Sequence, residues 1–114
     1  MAKAKVVRES EVVKSSGNVF ADLGFADAEE RQTKVLLAAA IQELLRRRGL
    51  SQAEAARQLG ISQPKVSALL NYKLVGFSVE RLMHLLTVLD QDVEIVIRGK
   101  PRSRRAARIV VTAA

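Results

Sequence analysis

The 114 residues contain no cysteine, which excludes a disulfide framework, a thiolate metal site and a thiol nucleophile. Tryptophan is also absent, and the aromatics are only Phe20, Phe25, Phe77 and Tyr72. A core must then come from Leu, Val, Ile and Ala, which suits packed helices. The longest apolar run, Val35 to Ile41, falls far short of the about 20 residues a membrane helix needs. Lys3 and Lys5 are not followed by the apolar stretch of a signal peptide, so a soluble, cytoplasmic protein is expected. The single histidine, His84, lies between the apolar positions Leu82 and Leu85, with no Ser, Cys or Asp constellation tied to it. Asp90 and Asp92 look like a turn rather than a carboxylate pair, and there is neither a metal-ligand cluster nor a glycine-rich phosphate loop. No catalysis and no cofactor are expected.

Apolar residues make up 48% of the chain, enough for one modest core and too many for a disordered tail protein. The net charge is +7, which favours a polyanionic partner. Its distribution tempers that reading. Residues 1–50 carry nine basic and seven acidic groups, and residues 51–92 carry four of each. The excess sits in residues 93–114, with six basic groups and only Glu94 against them.

Residues 1–26 read as an N-terminal extension. Val6-Val7 and Val12-Val13 alternate with charges, and Ser15-Ser16-Gly17-Asn18 reads as a turn. A long helix is then expected from an N-cap at Asp27, with Glu29 and Glu30 in its first turn. Leu37, Ile41, Leu44 and Leu45 give it one apolar face, and Gly49 ends it after Arg46-Arg47-Arg48. That arginine run suits a solvated helix end better than a DNA clamp. Ser51 and Glu54 form a capping box for a second helix, which stops at Gly60. Ser62 caps a third, with Pro64 in its first turn, and Ser78 caps a fourth with a stripe of Val79, Leu82, Leu85, Leu86 and Leu89. The period then changes: Val93, Ile95 and Ile97 alternate with other residues and predict a strand. A lone strand needs a mate, either in a second subunit, at Val12-Val13 or at Ile109-Val110-Val111. Residues 27–98 form the expected domain, and 99–114 a basic tail.

The second and third helices are joined by Gly60-Ile61-Ser62. Ala56 must be small to let the neighbouring helix approach, and Gly60 falls where the chain turns sharply, with φ > 0 expected. Leu59, Ile61, Val66 and Leu69 are placed to form the core between the two helices. Together these constraints describe a helix-turn-helix.

The stretch 51–73, SQAEAARQLGISQPKVSALLNYK, resembles the phage-repressor (Cro/cI, or XRE) family of helix-turn-helix domains. The likeness extends more loosely over residues 27–90. The segments from Ser16 to Gly24 and from Gly76 to Leu82 further resemble its HigA-like antitoxin branch. The resemblance implies a mainly α, compact four-to-five-helix domain with a C-terminal β-strand used in dimerisation. It implies a repressor reading a palindromic operator in double-stranded DNA, and in that branch a ribonuclease toxin as partner.

By position in the family, Gln63, Lys65, Ser67 and Ala68 lie on the exposed face of the third helix, with Val66 and Leu69 buried. Gln pairs with adenine, and Lys donates to guanine, although Lys65 suits a phosphate equally well. Gln52 and Ser62 at helix N-termini, and Asn71, Tyr72 and Lys73 beyond the third helix, are placed for phosphate. Pro64 stands where a polar base reader is common, and Ala68 offers only a methyl group, so shape readout or the tail is expected to supplement a narrow code. The Arg102, Arg104, Arg105 and Arg108 tail reads equally as a groove-binding arm or a solubilising segment. A homodimer is expected because one such domain makes few base contacts. Its seam is either Val93, Ile95 and Ile97 or the face of the fourth helix. The competing reading is a toxin-neutralising interaction module, with DNA binding secondary and the segment from Val12 to Phe25 ordering on its partner.

Overall fold

The computed structural model describes residues 19–113, with side chains from Asp27 onward. The Ser15–Asn18 turn and the Val12-Val13 mate lie outside the described residues, as do the side chains of Phe20, Leu23 and Phe25. Four helices follow in order: α1 (Val19–Arg48), α2 (Gln52–Leu59), α3 (Gln63–Leu70) and α4 (Val79–Val88). The chain divides into two units, Met1–Arg31 and Gln32–Ala114.

In the first unit α1 is already under way at Asp27, which therefore does not cap it. Its carboxylate lies 3.5 Å from the Arg31 guanidinium one turn on. An acidic residue suits either an N-cap or such an i,i+4 pair, and a single glycine at Gly24 costs a helix only about 1 kcal/mol relative to alanine. Neither feature can stop a helix of 30 residues.

In the second unit Leu37, Ala38, Ile41 and Leu45 give α1 a buried face at helical spacing. The helix ends at Gly49, whose φ of 64° is left-handed. Leu50 N–H then reaches back to Leu45 O at 3.3 Å, closing the C-terminal turn. Ala55, Ala56 and Leu59 of α2, Val66 and Leu69 of α3, and Leu82, Leu85 and Leu86 of α4 complete one core with Leu74, Phe77 and Leu89. Ile61 packs against its edge. Burying each large aliphatic side chain contributes roughly 1.5–3 kcal/mol, so this cluster holds the domain together.

Side chains at the α1 end tie the helices to each other. Arg48 donates from Nη2 to Leu89 O at 2.8 Å and from Nη1 to Gln58 Oε1 at 3.1 Å, fixing the end of α4 against α1 and α2. Arg46 and Arg47 instead turn to Glu43, at 2.6 and 3.2 Å. These arginines thus pair as expected of a helix end. No described helix is long and apolar enough to cross a membrane.

The expected strand over Val93, Ile95 and Ile97 is not formed. Residues 91–100 carry neither helix nor strand, and no strand occurs among the described residues. Val93 packs against the core, but Ile95 is 74% and Ile97 90% exposed. Alternation decides which side chains can share a face. A strand also needs a mate for its backbone, and within the described chain Ile109-Val110-Val111 does not serve as one.

Candidate nucleic-acid interface

The geometry of α2 and α3 is set by their ends. Ser51 Oγ accepts from Glu54 N–H at 3.1 Å, and Glu54 Oε1 accepts from Ser51 N–H at 2.9 Å. The hydrogen bonds from Ser51 hold the Glu54 carboxyl below its usual range. At the other end Gly60 sits at φ 70°, and its N–H bonds to Ala56 O. A Cβ there would meet nothing within 4 Å, so it is the left-handed backbone and not crowding that requires glycine. Two residues later Ser62 Oγ accepts from Lys65 N–H at 3.3 Å and starts α3, with Pro64 in its first turn.

The far end of α3 is held from α1. Gln42 Nε2 donates to Leu69 O at 3.0 Å and to Leu70 O at 3.2 Å, satisfying carbonyls that a helix C-terminus leaves without partners. Asn71 Nδ2 donates to Ser67 O at 2.8 Å, and Tyr72 follows at φ 57°, turning the chain away. Gln42 was not legible as a site residue. It is one polar side chain on a helix, and its partners lie 27 and 28 residues away.

Gln63 and Lys65 are exposed on α3, while Ser67 and Ala68 are half-buried, Ala68 against the core. Val66 and Leu69 are fully buried. The outward polar face is therefore concentrated in the first turn. Lys65 is not a free ammonium. Its Nζ donates to Gly76 O at 3.2 Å and lies 5.1 Å from the centre of the Phe77 ring. A Cβ on Gly76 would come 3.1 Å from that Nζ, so the lysine's seat depends on the glycine.

Gln52, Ser62, Asn71, Tyr72 and Lys73 are all exposed. Gln52 and Tyr72 share the lining of one open depression of about 590 Å³, together with Gln42, Leu70 and the Glu43 and Arg46 side chains. Val75 at the tip of the loop between α3 and α4 is 99% exposed, flanked by buried Leu74 and Phe77. His84 lies exposed on α4, and its carbonyl accepts from Thr87 Oγ1.

A rigid helix with a polar first turn, two capped helix N-termini beside it and a loop of donors behind it can lay α3 in a groove and anchor phosphates on either side. Comparison with known proteins agrees. Residues 19–98 match the model of a family described as a helix-turn-helix domain. A solved structure named an XRE family transcriptional regulator is 73% identical, with a TM-score of 0.75, covering 77% of this chain and 99% of its own. No curated protein matches.

Proposed function

The chain belongs to the XRE family of helix-turn-helix DNA-binding transcriptional regulators, and from that premise we propose a homodimeric repressor of the antitoxin type on a pseudo-palindromic operator. The observation that supports it best is α3 itself, capped by Ser62 at one end and held by Gln42 at the other, with Gln63 exposed in its first turn. In this reading Gln63, Ser67 and Ala68 face base edges, Gln63 pairing with adenine and Ala68 meeting a thymine methyl. Lys65 stands among them with the donors that Gly76 leaves free. Gln52, Ser62, Asn71, Tyr72 and Lys73 hold phosphates and fix the register. Val93, Ile95 and Ile97 form the dimer seam. The antitoxin assignment draws on the likeness of the Ser16–Gly24 and Gly76–Leu82 segments, and gives the protein a ribonuclease toxin as cytoplasmic partner.

Selection of sites from random duplex DNA at near-physiological salt tests this reading. An enriched inverted repeat is expected, and Gln63→Ala should then cost about 1–3 kcal/mol on the operator and relax one base position. No enrichment by folded protein would refute sequence reading. Equal losses on operator and random DNA would remove Gln63 from the base readers.

A further inference from the structure

We infer that residues 92–100 pair with the same residues of a second copy as an antiparallel two-stranded ribbon, its two-fold axis at Val96. The inference rests on the homodimer proposed above and specifies its seam, its strand direction and its register.

Three observations carry it. The segment is apolar yet uncovered: Ile95 is 74%, Val96 63% and Ile97 90% exposed. No backbone hydrogen bond joins residues 92–99 to another described residue, so their donors and acceptors are open to a mate. The charges are sorted along it, with Asp92 and Glu94 before Val96 and Arg98 and Lys100 after it.

That sorting selects direction and register. A parallel in-register pair sets acid beside acid and base beside base, which opposes association. An antiparallel pair about Val96 sets Glu94 against the partner's Arg98 and Asp92 against the partner's Lys100, each twice by symmetry. Ile95 then faces the partner's Ile97 on the other side of the ribbon. Moving the axis to Ile95 leaves Glu94 opposite a valine. Moving it to Ile97 puts Ile95 opposite a glycine. Only the Val96 axis matches all four charges and both isoleucines.

The faces agree with the fold. Val93, Ile95 and Ile97 share one side of such a strand, and Val93 already packs against the helical core. The apolar side therefore turns toward protein, and the ion pairs turn to solvent. A two-stranded ribbon is marginal alone, and the Val93 contact supplies the support it needs. Lys100 Nζ donates once, to Arg104 O at 2.9 Å, and keeps two donors for the partner's Asp92.

Charge exchange in the full chain tests the register. By light scattering and sedimentation, Glu94→Arg and Arg98→Glu should each raise the monomer–dimer dissociation constant roughly tenfold or more, and the double variant should restore it. Val96→Cys should close a symmetric disulfide under mild oxidation, in a chain with no other cysteine. All four positions altered in these variants and their partners are solvent-facing, so circular dichroism should report an unchanged fold. Single variants as dimeric as the parent, a double variant that stays monomeric, or a monomeric parent would each overturn the ribbon. Site selection separates this failure from that of the DNA reading. An inverted repeat enriched without the ribbon moves the seam elsewhere, whereas a lone enriched half-site removes the dimer and leaves base reading intact.

Discussion

Leu89 closes the helical domain and is wholly buried, whereas Val96, a short way further along the chain, is 63% exposed. The same kinds of aliphatic side chain stand on both sides of Asp90, whose φ of 65° marks the boundary. Before it, helices carry their own backbone hydrogen bonds, so apolar residues at helical spacing need only each other to form a core. After it, an extended chain satisfies its backbone only by pairing, and its apolar side chains stay exposed until a mate arrives. Closure within one chain suits the region that must hold α3 rigid. An open segment suits assembly.

The comparison breaks most readily at its two extremes. Leu82 is fully buried, and Leu82→Ala should cost about 2–5 kcal/mol of folding stability in urea titrations. Ile97 is 90% exposed, and Ile97→Ala should change the fold of the dilute protein by less than about 0.5 kcal/mol while weakening the dimer. A comparable loss of folding stability at both positions would mean that the segment belongs to the domain core.

How the two regions were read from the residues follows the same division. The capping box of Ser51 and Glu54, the left-handed Gly60 and the Ser62 cap are local devices, each completed within a few residues, and the helix-turn-helix was legible from them. The apolar positions Leu59, Val66 and Leu69 followed from spacing alone. Asp27 misled because its chemistry fits a helix start and a helix interior equally, and the choice was made by Arg31 one turn on. The alternation of Val93, Ile95 and Ile97 was real as a pattern, but a strand is a property of two segments. Gln42 and Lys65 act across the fold, where spacing along the chain carries no signal.

Gln42 sharpens the comparison next, because it is a long-range tie that makes the domain a rigid frame for α3. Gln42→Leu keeps the volume and leaves the Leu69 and Leu70 carbonyls without that donor, at a cost of about 1–3 kcal/mol. Amide exchange at Asn71 and Tyr72 should accelerate, and operator affinity should fall further than affinity for random DNA. Unchanged exchange would show that α3 is held by its buried face alone.

Lys65 distinguishes a reader from a brace within that frame. Lys65→Met keeps the stem and removes the ammonium from Gly76 and Phe77, while Gly76→Ala brings a methyl 3.1 Å from Nζ and displaces it. If the lysine chiefly fixes the loop after α3, each change should weaken operator and random DNA alike, by about 1 kcal/mol, and leave the selected bases unaltered. Relaxation at a single base position in Lys65→Met, absent in Gly76→Ala, would make Lys65 a base reader instead.

The smallest effect belongs to the charges at the end of α1, where the domain meets solvent without a hydrophobic contribution. Hydrogen bonds from Arg46 and then Arg47 lower the Glu43 carboxyl from 4.5 to about 2. A depressed carboxyl pKa favours the folded state above the unfolded value, and that contribution disappears as pH falls through the folded one. Thermal midpoints of the parent and Glu43→Gln should therefore differ at pH 7, and the gap should close between pH 4.5 and about 2. All three side chains are solvent-exposed to a large degree, so the gap should be slight and shrink further in salt. A gap that persists at the acid limit would mean that glutamine disturbs α1 by some route other than lost charge, and the pairing would then be a surface detail with no part in holding the arginines.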